Sequence, residues 1–270
     1  MNEDEAFIRA IVDAPGDDLP RLVYADWLDD RADPRGPYVR AETKWAKPWR
    51  KRGRKSKRPI DNPRLREMAC ALDALWVARV SRPPIGVCCE HMTFTDCGEP
   101  LTPESINVCA TRLGLTLPLA YRAFLLNQNG GVPTVPFYWP KDTRSSEPRS
   151  VRVERFLAAS ALPRKGRTDT GDSSRDLEEA SKVLNNGYVT GATDRAARDA
   201  WEAGTRLYVP VAIPVGLGVV ALGLLGKRAG KVYEINRTVL VGSSAPRLIA
   251  QSLAEFLALF SLSITYTPRP

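Results

Sequence analysis

The 270 residues include 39 Lys and Arg against 31 Asp and Glu, a formal net charge of +8, with 43% apolar and 26% charged residues. This is a globular balance with room for one large domain or two modest ones. No stretch reaches the roughly 18 apolar residues of a membrane helix, MNEDEAFIRA is acidic where a secretory leader would be basic and then apolar, and five cysteines suit reduced thiols better than a disulfide framework, so a cytoplasmic protein is expected.

In chain order, Asn2 and Glu5 read as an N-cap and its reciprocal partner, followed by one apolar face of Phe7, Ile8, Ile11 and Val12. Asp13 to Gly16 ends that helix. Asp18 and Pro20 open a second, expected to bury Leu22, Val23, Trp27 and Leu28, and Asp33-Pro34 opens a third carrying Tyr38 and Val39. The string DDLPRLVYADWLDDRADPRGPYVRAE resembles the small repeat-companion module of multidomain bacterial proteins. The resemblance rests on Asp18, Pro20–Leu22, Tyr24–Asp29, Arg31 and Asp33–Gly36.

Charge is unevenly placed. Residues 1–39 hold ten acids and four basic residues, whereas residues 40–66 hold twelve basic residues and two acids. Lys44, Trp45, Lys47, Trp49, Arg50, Lys51, Arg52, Arg54, Lys55, Lys57 and Arg58 form a candidate nucleic-acid site, because cations attract phosphates and indoles stack on bases. Neutralisation by the neighbouring acidic module, or a solvated linker, would explain the same run, and Trp45 and Trp49 also have helix-core spacing. A helix follows from Pro63, with Leu65, Met68, Leu72, Leu75, Trp76 and Val80 as its buried stripe. Arg82-Pro83-Pro84 ends it and begins a linker. Within that linker Cys88, Cys89, His91 and Cys97 offer sulfur and nitrogen ligands, but adjacent cysteines do not readily face one metal. No metal and no cofactor are expected.

The segment LGLTLPLAYRAFLLNQNGG carries the most information. Thr102-Pro103 starts a helix bearing Ile106, Cys109 and Leu113. Leu117-Pro118 restarts the chain, and Tyr121, Phe124 and Leu125 share the core-facing side of a second helix that closes on Asn129-Gly130-Gly131. Leu113, Gly114, Leu117, Pro118, Tyr121, Phe124, Leu125, Asn129, Gly130 and Gly131 resemble the signature of the SUKH superfamily, which includes fungal cell-wall-synthesis regulators and many bacterial toxin-immunity proteins. Strands are expected at 135–139, 151–157, 206–213, 218–225 and 231–235, and a final helix over 246–262. In that last segment Ala250, Ser252, Leu253, Phe256 and Leu257 resemble the family's closing motif. Two features depart from the family. Val215 to Leu225 is apolar and glycine where acids are usual, and Arg144 to Arg175 is dense in arginine and serine.

The expected architecture is α+β: a small N-terminal helical module with its basic connector over 1–85, then a SUKH-like, mainly antiparallel sheet flanked by helices over 97–270. The only histidine lies in the expected linker, no G-x-S-x-G elbow is present, and Gly216-Leu217-Gly218 lacks the rest of a dinucleotide fingerprint. No enzyme is expected. The resemblance implies a protein partner, foremost a toxin neutralised by direct binding, with Asn129, Gly130, Gly131, Phe137, Tyr138 and Trp139 as candidate contacts. A nucleic-acid-associated protein and a general regulatory scaffold are the alternatives, and no membrane partner is expected.

Overall fold

The computed structural model describes residues 3–51, 62–139, 150–159, 177, 180–181, 207–215, 218–236 and 246–260. Five helices come first: α1 (Glu3–Asp13), α2 (Leu19–Asp29), α3 (Arg35–Lys51), α4 (Pro63–Cys70) and α5 (Ala74–Val80). The stripe expected in one helix from Pro63 is divided between α4 and α5, because Asp73 stops and restarts the chain. Its carboxylate accepts from the Trp76 amide at 2.7 Å, while Asn62 caps α4 through the Leu65 amide. In α2 the inward face is rotated from the expected one. Val23 is 46% exposed, and Arg21, Tyr24, Ala25 and Leu28 are buried.

Ile8, Ile11 and Val12 of α1 pack with Tyr24, Leu28, Tyr38, Val39, Leu65, Trp76 and Val80 to make the first core. Tyr24 ties it together: its hydroxyl donates to Asp4 at 2.6 Å and accepts from the Trp76 indole at 3.0 Å. Burying Arg21 is tolerable because its guanidinium donates to the Val80 carbonyl and the Glu42 carboxylate. Glu42 also accepts from the backbone and side chain of Arg82, at 3.0 and 2.6 Å, and Arg82 reaches Asp18 and Glu90 as well.

That cluster overturns the linker expected after Val80. Ser81 and Arg82 are fully buried, and the following residues divide between two cores. Cys88 belongs to the first, while Val87, Cys89 and Met92 belong to a second built on the sheet. The adjacent cysteines therefore point into different cores, with turns before and after them.

The second part opens with β1 (Phe94–Thr95), α6 (Pro103–Leu113), α7 (Leu119–Asn127) and β2 (Val132–Pro133), with β1 and β2 paired antiparallel. Thr102 and Ser105 form a capping box at the start of α6. Six strands then form an antiparallel meander in chain order: β3 (Phe137–Tyr138), β4 (Val151–Phe156), β5 (Tyr208–Pro214), β6 (Gly218–Gly223), β7 (Val232–Asn236) and β8 (Arg247–Ala250). The chain closes on α8 (Leu253–Ala258), capped by the Ser252 hydroxyl on the Glu255 amide. The expected single helix from Pro246 is therefore a strand and a short helix, because 247–250 pair with β7 before Ser252 turns the chain.

One face of the sheet packs on the helices. Tyr121, Phe124 and Leu125 of α7 meet Phe156, Val209, Val211, Val220, Leu222 and Phe256 in one continuous core. Tyr208, Val219, Ala221 and Ile235 form a smaller cluster on the opposite face. A strand buried on both sides has no need of polar alternation, which explains the unbroken apolar stretch around β6. The architecture is α+β, with an N-terminal group of helices followed by a curled antiparallel sheet. Among the described residues, no helix is long and apolar enough to cross a membrane.

Candidate partner-binding face

The face is built from the end of α7 outward. After Asn127 the chain turns through Gln128, and the Asn129 side chain is buried as a three-way staple. Its Nδ2 donates to the carbonyls of Glu99 at 2.8 Å and Ala159 at 2.9 Å, and its Oδ1 accepts from the Ala159 amide at 2.8 Å. Gly130 has φ +69°, and a Cβ there would lie 2.6 Å from the backbone of Leu157 and Ala158. Gly131, at φ +108°, exchanges backbone hydrogen bonds with Phe156 at 3.0 and 2.8 Å. Both glycines are needed for a left-handed backbone in close approach to a neighbouring strand. These three candidate residues are placed as a buried joint that sets where β2, β3 and β4 lie.

The three aromatics that follow are separated by strand alternation. Tyr138 is buried against Phe256 and Phe260, with ring centroids 5.1 and 5.6 Å apart. Trp139 is half-buried, and its indole Nε1 is enclosed without a partner among the described residues. Phe137 points outward and is 42% exposed. It stands directly opposite Arg152 of β4, which is also exposed, and the Arg152 carbonyl accepts from the Val215 amide at 2.8 Å. Val215, just past β5, is 56% exposed. Phe137, Arg152 and Val215 therefore run as a row across three chain segments, an aromatic and an aliphatic side chain flanking a guanidinium. Arg152 and Val215 were not candidates from sequence. A strand register would have been needed to find them, since they are 15 and 78 residues from Phe137 in the chain.

The basic candidates are less completely placed. Lys44 is exposed on α3, and Trp45 is half-buried against the first core. Lys47, Trp49, Arg50 and Lys51 continue the helix, while Arg52, Arg54, Lys55, Lys57 and Arg58 lie outside the described residues. Arg40, the first cation of the run, is engaged by Asp26 and Asp29 of α2. This contact belongs to the intramolecular reading of the charge pattern.

The cysteine–histidine cluster does not converge. Cys88 and Cys89 enter different cores, and among the described residues no group of three or more His, Cys, Asp or Glu could hold a metal ion. Burial pushes the Cys88 thiol up, against the pull of the Arg21 guanidinium at 3.2 Å. The Cys97 thiol is raised by burial and then by the Asp96 carboxylate beside it. Both shifts run opposite to those of an activated thiolate.

Residues 100–259 match the SMI1 / KNR4 family (SUKH-1). No curated protein matches the chain.

Proposed function

The chain belongs to the SMI1 / KNR4 family (SUKH-1), and on that footing we propose that it is a non-enzymatic protein-binding module of the immunity type, which neutralises a toxin by occluding it. The observation that carries this reading is the row of Phe137, Arg152 and Val215. Aromatic and arginine side chains are the commonest anchors of protein interfaces, provided they are held still before binding. Here the holding is done from beneath. Tyr138 is locked against Phe256 and Phe260 one residue away, and the Asn129–Gly131 joint fixes the strands on which the row stands.

The test is affinity capture from the cells that make this protein, with the wild-type chain and Phe137→Asp side by side, followed by identification of what is retained. A stoichiometric protein held by the wild type and lost from the variant is the expected result. Recovery of nucleic acid alone, released by salt, would sink the proposal in favour of the basic segment. Equal retention by both chains would move the interface away from β3.

A further inference from the structure

The last turn of any α-helix leaves carbonyl groups without intrahelical partners, and cations are favoured there. In α7 those groups are met by a residue from the far end of the chain. Arg9 of α1 donates from Nη1 to the Asn127 carbonyl at 2.8 Å and from Nη2 to the Leu126 carbonyl at 3.1 Å. A second arginine joins the same place. Arg79 of α5 donates from Nε to Asn127 Oδ1 at 3.0 Å, and Asn127 Nδ2 returns a bond to the Arg79 carbonyl at 2.8 Å. The two terminal nitrogens of Arg79 grip the Glu5 carboxylate at 2.8 and 2.7 Å. Arg79 and Asn127 are both buried. Without the N-terminal helices, an amide side chain and two helix-end carbonyls would lose their partners, two residues before the Asn129 staple.

From this geometry we propose that the N-terminal helical module is the built-in partner of helix α7, and that the module and the Asn129–Gly131 joint open and close as a single unit. Arg9 and Arg79 are its positioning residues. They cap α7, and α7 in turn fixes where the chain enters the joint. The buried Arg82–Glu42 pair and the two-way split of Cys88 and Cys89 pin the intervening segment to both cores, so no slack chain separates the halves. The coupling is reciprocal by thermodynamic necessity: whatever stabilises one side stabilises the other. It does not depend on what binds to the row on β3 and β4.

Amide hydrogen exchange on the full chain, comparing wild type with Glu5→Ala, tests this directly. Glu5 is partly exposed on α1 and holds Arg79 and, at 3.9 Å, Arg9, so its truncation loosens both positioning residues at once. Exchange at Gly131 and Phe156, whose amides bond to one another's carbonyls, should speed by roughly tenfold or more, since two charge-assisted bonds are lost. Ile11 and Val12 should speed by the same factor. Acceleration confined to α1, with Gly131 and Phe156 unchanged, overturns the proposal. Gly130→Ala supplies the converse measurement: it strains the joint and should speed exchange at Ile11 and Val12. Normal protection there, in a protein whose joint has loosened, would equally refute the coupling.

Discussion

Asn129 fills with one amide side chain the hydrogen-bonding needs of two distant backbone segments, at Glu99 and Ala159. Replacing it with Ala leaves two carbonyls and an amide partly or wholly buried without their partner. Unsatisfied groups of that kind cost about 1–3 kcal/mol each, with some relief where water can enter. We expect Asn129→Ala to lower the unfolding free energy by about 2–4 kcal/mol in urea titrations with little change in slope. A loss below about 0.5 kcal/mol, the size of an ordinary surface substitution, would contradict the staple. The Asn-Gly-Gly string was legible as a helix end and a left-handed turn because those preferences are local. The staple's partners were not, since they lie 30 residues away on either side and nothing in their side chains announces them. Phe137 and Tyr138 give the same lesson. Composition marks both as interface types, and only the pleat decides that one faces outward.

At the scale of elements, local signals fixed most starts and stops, while faces depended on packing. Thr102 and the Leu117-Pro118 break predicted α6 and α7 with few residues of error. The stretch 246–262 failed because Leu248, Ile249, Leu253, Phe256 and Leu257 fit a helix as a run, whereas the cap at Ser252 divides them. In α2, hydropathy favoured Val23 over Arg21, yet Arg21 is the buried residue because an acid on α3 waits for it. The joint between α3 and α5 offers a test of such contacts. The Tyr38 hydroxyl on α3 lies 2.7 Å from Ser81 Oγ at the end of α5. Burial holds its proton on, pushing its pKa up to about 12 from an ordinary value of 10.0. Because the folded pKa is the higher one, the contribution to stability is whole below pH 10 and is lost as pH rises through about 12. Unfolding free energy measured from pH 9 upward should therefore fall across that window, and Tyr38→Phe should flatten part of the fall. An unchanged slope in the variant would assign the alkaline loss elsewhere, for instance to Tyr24 or Tyr121, whose hydroxyls burial also raises.

For the whole molecule, the family resemblance read from one helical segment extends over residues 100–259, and the sheet and closing helix follow it. What a single sequence could not reveal is how the first hundred residues relate to the rest. The stretch after Arg82-Pro83-Pro84 reads as a linker by composition, but it is buried between two cores by an ion cluster whose members span residues 18 to 90. Composition also exaggerated the separation of charge. Arg40 of the basic run is engaged by Asp26 and Asp29 of α2 before any partner is considered. The N-terminal helices brace α7, and through it the part of the chain that bears the exposed row. The proposed occlusion is tested by titrating the captured partner's own activity with this chain. We predict that activity falls to zero near one molar equivalent, and that Phe137→Asp needs at least about tenfold more protein, the cost of one good interface anchor. A partner that stays fully active in a saturated complex would refute occlusion.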